Sequence, residues 1–120
     1  MASKRIVLGT DDRMYLSGDF ERSRYFAVYE LADGDVQDES FLPNPLQIDD
    51  AGRELTDEQR TALLQALGRP DVIITRRIDP ELKKALKEAG VEVRQVLDQG
   101  RIAVLLFRYV QNQLMDFPEE

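Results

Sequence analysis

The tightest constraint on this chain is a short strand that is apolar on both faces, Ile6-Val7-Leu8, followed by the polar loop Asp11 to Ser23. That loop delivers a second strand, Arg24 to Leu31, in which Tyr25-Phe26-Ala27-Val28-Tyr29 again lacks polar alternation. A strand without a polar face is covered on both sides, so Ile6 to Leu8 is predicted to be a central strand of an α/β sheet.

The remaining segments fit around that centre. Asp33-Gly34 separates the second strand from a third, about Asp35 to Leu42, and an Asp-Gly pair suits the positive φ angles of a tight hairpin. The third strand is sparsely apolar and ends in Pro43, as an edge strand does. A long connection, 43–55, is read as either a plain surface link or a functional loop. Thr56 then caps a helix, with Gln59 placed to reach back and Leu63, Ala66 and Leu67 on one face beside Leu64; Gly68 and Pro70 end it. Val72-Ile73-Ile74 is a second central strand. Asp79-Pro80-Glu81 starts another helix, whose expected buried stripe is Leu82, Ala85, Leu86 and Ala89, closed by Gly90. Val91 to Val96 alternates as the opposite edge strand. In the last segment, Arg101 to Leu114, residues Ile102, Leu105, Leu106, Tyr109, Val110 and Leu114 recur at helical spacing, although Ile102 to Phe107 also fits a strand.

Composition narrows the function. Sixteen basic against twenty-three acidic residues leave a net charge of −7, which disfavours nucleic acid and anionic membranes as partners. The apolar runs are too short to span a bilayer and no apolar signal region follows Met1 to Arg5, so a cytoplasmic protein is expected. The 120 residues contain neither Cys nor His. Thiolate and imidazole, the usual holders of soft metal clusters, are therefore unavailable, and so is a thiol nucleophile or a Ser–His pair. Gly9 and Gly18 form no phosphate-binding pattern. Tyr15, Tyr25, Phe26 and Tyr29 read as core aromatics, with a stacking platform as the alternative.

Ser17-Gly18-Asp19-Phe20-Glu21-Arg22-Ser23-Arg24-Tyr25-Phe26, placed after a strand and an Asp pair, resembles the signature of the dinitrogenase iron–molybdenum cofactor biosynthesis family, the NifX-like and NifB C-terminal-type domains. Relatives show Ser-x-His-Phe-Gly-Arg-Ala-x-Tyr-Phe. Ser17, Phe20, Arg22, Tyr25 and Phe26 match, whereas Asp19, Glu21 and Ser23 replace His, Gly and Ala. The likeness runs from Lys4 to about Val110, and its second half rests on Asp71-Val72-Ile73-Ile74 and Pro80 through Val93. Of the Gly-x-Gly-Pro loop common in relatives, only Pro80 survives.

The resemblance implies one α/β domain over 1–120, with its core at about 4–114 and a short acidic tail. It implies a ribonuclease H-like fold: a five-stranded mixed sheet of order 3-2-1-4-5, the second strand antiparallel, with about three helices. The first and fourth strands would then flank a switch point, beyond whose carboxyl ends ligands bind. The loops there bring together Arg13, Arg22, Arg76 and Arg77, with Arg24 close by and the helix starting at Pro80 behind them. Such groups favour anions. The expected site is therefore Arg13, Ser17, Asp19, Arg22, Arg76 and Arg77, with no catalytic or metal-ligating residue. The resemblance implies a non-enzymatic carrier of an anionic molybdenum- or iron–sulfur-type cluster, with donor or recipient proteins as partners. Two alternatives stay open. The arginines instead pair with Asp11, Asp12, Asp19, Glu21 and Asp79 in a surface network, and the chain is a relative without a cluster that acts through protein contacts. Or Asp11, Asp12, Asp19 and Asp79 hold two metal ions, as in a nuclease.

Overall fold

The computed structural model describes residues 3–46, 55–97 and 100–114. In chain order it contains β1 (Ser3–Thr10), β2 (Tyr25–Ala32), β3 (Asp35–Pro43), α1 (Asp57–Leu67), β4 (Val72–Thr75), α2 (Pro80–Glu88), β5 (Glu92–Gln95) and α3 (Ile102–Val110), with one 3-10 turn at Phe20–Arg22. The sheet has the order β3-β2-β1-β4-β5. β2 runs antiparallel to β1 and β3, while β1, β4 and β5 are parallel, with Leu8 beside Ile74 and Ile74 beside Arg94. This is the order and strand sense that the family resemblance implied.

The apolar centre explains the layering. Ile6, Val7, Leu8, Ile73 and Ile74 are completely buried. Alternate residues face opposite layers. Ile6, Leu8, Tyr29, Val72 and Ile74 meet Ile102, Leu105 and Leu106 of α3 on one side. Val7, Phe26, Val28 and Ile73 meet Leu63 and Leu67 of α1, Leu82 and Leu86 of α2, and Phe20 on the other. Asp33 and Gly34, with φ of 55° and 82°, make the tight turn between β2 and β3. Thr56 and Gln59 complete a reciprocal cap on α1.

Some expectations are revised. Ala66 and Ala89 are exposed, so the buried faces of α1 and α2 are narrower than the apolar spacing suggests. An alanine methyl removes little area from water, and the leucines already meet the sheet. In the last segment the helix covers Ile102–Val110 and ends before Leu114, with Tyr109, Val110 and Leu114 partly buried against the core. Most of the 43–55 connection, residues 47–54, lies outside the described residues. Among the described residues, no helix is long and apolar enough to cross a membrane.

Candidate functional site

The site is built where β1 and β4 end. After Thr10 the chain makes a tight polar turn organised by Asp12. One carboxylate oxygen accepts the main-chain N–H of Met14 (2.9 Å) and of Tyr15 (2.8 Å) and the hydroxyl of buried Thr10 (3.3 Å). Those donors, the Tyr15 amide first, hold the Asp12 carboxyl below its usual pKa. Arg13 sits at the apex with φ of 67°, its amide donating to the Thr10 hydroxyl (2.9 Å). A non-glycine residue there is uncommon and is held only when its surroundings fix it. The Arg13 guanidinium lies 5.6 Å from the centre of the Tyr25 ring.

The loop is then fastened at two places. Leu16 N–H donates to Gly100 O (3.1 Å) and Ile102 N–H to Met14 O (2.9 Å), joining it to the start of α3. Phe20 N–H donates to Arg77 O (2.9 Å) and Arg77 N–H to Gly18 O (3.1 Å), joining it to the segment after β4. The expected slot between the two loops is thus closed at residues 18–20 and 77, because the free amides of each loop find acceptors in the other. Arg76 and Arg77 thus leave β4 directly beside the 18–20 segment.

Ser17 is buried, and its hydroxyl bonds to that of Ser23, while both hydroxyls reach Asp19 O (3.2 and 3.1 Å). Phe20, the anchor of the loop, is completely buried with its ring 4.9 Å from that of Phe26. Asp19 lies beside Arg77, with its carboxylate 3.4 Å from the Arg77 Nε. Arg22 ends the 3-10 turn and is half-buried. Arg76 is half-buried and Arg77 is exposed just beyond β4. Arg24 is exposed, with its main-chain N–H donating to Asp11 (3.1 Å).

Several contributors were not legible in the sequence. Glu21 is buried and accepts the Asp79 N–H at 2.7 Å, pinning the two loops together, and burial raises its pKa above 4.5. Buried Asn44 donates to Glu21 O (2.9 Å) and Ser23 O (2.7 Å). Gln95 donates to Arg76 O (3.3 Å) while accepting from the Lys83 ammonium. Arg101, exposed at the start of α3, has its guanidinium 5.8 Å from the Tyr15 ring centre. An asparagine between two prolines is the one sequence signal among these, since Asn side chains commonly organise loops.

Two chemical consequences follow. The amino end of α2, expected to face an anion, is occupied by its own Asp79, whose carboxylate accepts the Leu82 N–H (3.0 Å) and lies 3.6 Å from Arg60. The acids of the rim are also engaged by the main chain: Asp11, Asp12, Glu21 and Asp79 each accept a main-chain N–H, with Glu21 buried and Asp11 and Asp12 exposed. Among the described residues, no three carboxylates come together as a metal-holding group.

The sequence model of the dinitrogenase iron–molybdenum cofactor family matches residues 2–112. No curated protein matches the chain. Three similar solved structures share its fold. A protein from Methanocaldococcus jannaschii, provisionally described as a dinitrogenase, is 14% identical with a TM-score of 0.72, and each chain is covered over 100%. The apo form of the orange protein from Desulfovibrio gigas is 20% identical with a TM-score of 0.72, covering 98% of this chain and 97% of that one. A Thermotoga protein provisionally described as a NifB protein is 20% identical with a TM-score of 0.69, at 98% coverage of both. With the family model spanning nearly the whole length, the chain belongs to the dinitrogenase iron–molybdenum cofactor family.

Proposed function

We propose that this protein is a non-enzymatic carrier that holds an anionic metal–sulfur cluster, or a related anion, without covalent ligation at the rim formed by the 11–24 and 76–79 segments. Arg13, Arg22, Arg76 and Arg77 supply the positive charge, and Ser17 and Asp19 set the shape of the loop that presents it. The observation that carries the reading is the number of arginines on the segments that leave the ends of β1 and β4 and on the start of α3. Six of the chain's twelve arginines, Arg13, Arg22, Arg24, Arg76, Arg77 and Arg101, are gathered here in a molecule of net charge −7. Four of the five neighbouring carboxylates are directed at main-chain amides. A guanidinium offers planar donors to an anionic surface without displacing its metal ligands, which suits cargo that must later be released. With no Cys or His in the chain, thiolate or imidazole capture is unavailable and an outer-sphere hold is the chemistry that fits.

A second reading has its own support. Asp19 stands at the family's histidine position and pairs with Arg77 at 3.4 Å, so one rim arginine already has a carboxylate beside it. In that reading the chain is a relative that has lost its cluster and acts through protein contacts. Anaerobic purification from the native host, with visible absorption and metal and sulfide analysis, separates the two. Substoichiometric or stoichiometric molybdenum or iron with sulfide, accompanied by a visible band, is the result expected of a carrier. Colourless, metal-free protein from cells that are making cluster favours the second reading.

A further inference from the structure

The two faces of the sheet are covered unequally. α1 and α2 pack on one, whereas α3 is the helix that packs on the other. α3 runs for nine residues, about 13 Å, and ends at Val110. Beside that end, the foot of the sheet is left with a cavity of about 450 Å³, lined by Lys4 of β1, Glu92 and Arg94 of β5, Asp33 of the β2–β3 turn, and Tyr109. Its volume is that of a small-molecule site. It lies at the far end of β1 from the arginine rim, since Thr10 is six residues beyond Lys4, about 20 Å at the rise of a strand.

The charged groups on its wall balance, Lys4 and Arg94 against Asp33 and Glu92. They do not all neutralise one another. Arg94 lies 3.5 Å from the Glu92 carboxylate. The Lys4 ammonium donates to the Tyr109 hydroxyl at 3.3 Å and stands 5.8 Å from the centre of that ring, with the Arg94 guanidinium 6.0 Å from the same centre. Among the described residues, neither Lys4 nor Asp33 is in an ion pair, although both line this cavity. One cation and one carboxylate are therefore left uncommitted, and Leu31 and Val110 add apolar wall. A bare anion here meets two carboxylates as well as two cations, and a bare cation meets the reverse. A molecule with one charge of each sign answers both.

We propose that this cavity binds a small dipolar molecule of the amino-acid or short-peptide class, its carboxylate at the Lys4 ammonium beside Tyr109 and its ammonium at Asp33. Arg94 backs the carboxylate end. Lys4 and Asp33 are exposed, so the affinity is modest, with a dissociation constant on the order of millimolar. The inference is independent of the cluster, since the cavity shares no residue with the rim.

Titration of isotope-labelled protein, followed by amide NMR shifts, tests it. The probes are leucine and glycyl-leucine, with N-acetyl-leucine and leucine amide as controls that each lack one charge. Leucine or glycyl-leucine is expected to shift the amides of Gly34 and Asn112, which line the cavity, in a saturable way. Saturation by leucine identifies a free amino acid as the ligand, and saturation by glycyl-leucine alone identifies a peptide. Each control is expected to bind about tenfold more weakly or worse, having lost a charge-assisted contact. Lys4→Gln and Asp33→Asn are each expected to weaken the dipolar probe by about tenfold, with circular dichroism as the check on folding. Asparagine suits the φ of 55° at position 33. Asp33→Asn leaves N-acetyl-leucine binding undiminished, which a merely structural role for Asp33 would not produce. No saturable shift with either dipolar probe through the millimolar range overturns the proposal. So do shifts confined to the rim amides of Gly18 and Arg77, or controls that bind as well as the dipolar probes.

Discussion

Gly9 carries more structural weight than its size suggests. A methyl added there would sit 2.2 Å from the Ser23 hydroxyl and 3.0 Å from that of Ser17. Both serines are buried and bonded to each other, so neither has an open position to swing into. Gly9→Ala is expected to cost about 1–3 kcal/mol, the usual penalty of overpacking, read as a lower urea midpoint with an unchanged slope. Parent-like stability would mean that the serine pair is loosely held. Glu21 makes the opposite kind of prediction. Burial raises its folded pKa above 4.5, so the ionised form is disfavoured in the folded state relative to the unfolded chain. Its contribution to stability therefore falls as pH rises from near 4.5 through the folded pKa. Glu21→Gln keeps an oxygen to accept the Asp79 amide and removes the buried charge. Urea unfolding is expected to show the variant more stable than the parent at pH 7, with the advantage shrinking below pH 4.5. An advantage that does not change with pH would assign the effect to something other than ionisation.

At the level of elements, the second helix is the clearest case of sequence pattern becoming structure. Asp79 caps it, Pro80 starts it, and Gly90, with φ of 87°, follows its end. Leu82 and Leu86 are buried at 0% and 1% exposure, so Leu86→Ala is expected to cost about 2–5 kcal/mol by chemical denaturation. A loss near zero would contradict the packing of α2 on the sheet. Apolar spacing places Ala89 in the same stripe although it is exposed, because spacing alone does not distinguish a methyl that reaches the sheet from one that stops in solvent. The contacts of Lys83 were equally hidden. Its ammonium bonds Gln95, which in turn holds the Arg76 carbonyl, so α2 supports the rim from behind. Lys84, exposed on the same helix, makes a better reference position than Lys83 for any test of rim charge.

On the scale of the whole molecule, what the sequence revealed was the sheet. Unbroken apolar runs at Ile6 to Leu8 and Val72 to Ile74, the Asp33-Gly34 turn and the two capped helices mark the central strands, the hairpin and the helices, while the order of the strands follows from the family resemblance. The rim was only half legible. The arginines could be collected from two loops that the topology brings together, but their acids could not be apportioned. Whether Glu21, Asp12 or Asp79 faces a guanidinium or a main-chain amide depends on loop backbone geometry, which residue type does not encode. The same limit hid the lacing of Gly18 and Phe20 to Arg77, which turns an expected slot into a rim.

In the carrier proposed above, charge on this rim, and not a ligating side chain, recognises an anion. Anaerobic titration with tetrathiomolybdate tests it most directly, comparing the parent with Arg76→Ala/Arg77→Ala and with Lys84→Ala/Lys87→Ala. Both double variants lose two positive charges, so any general effect of net charge is shared between them. The parent is expected to bind saturably, and more weakly as salt is raised, because the arginine heads are partly exposed and screened. A loss of about tenfold or more is expected in the arginine variant, on the scale of two charge-assisted contacts, with near-parental affinity in the lysine variant. Equal affinities in the two variants, or no binding by the parent, would contradict the carrier proposal.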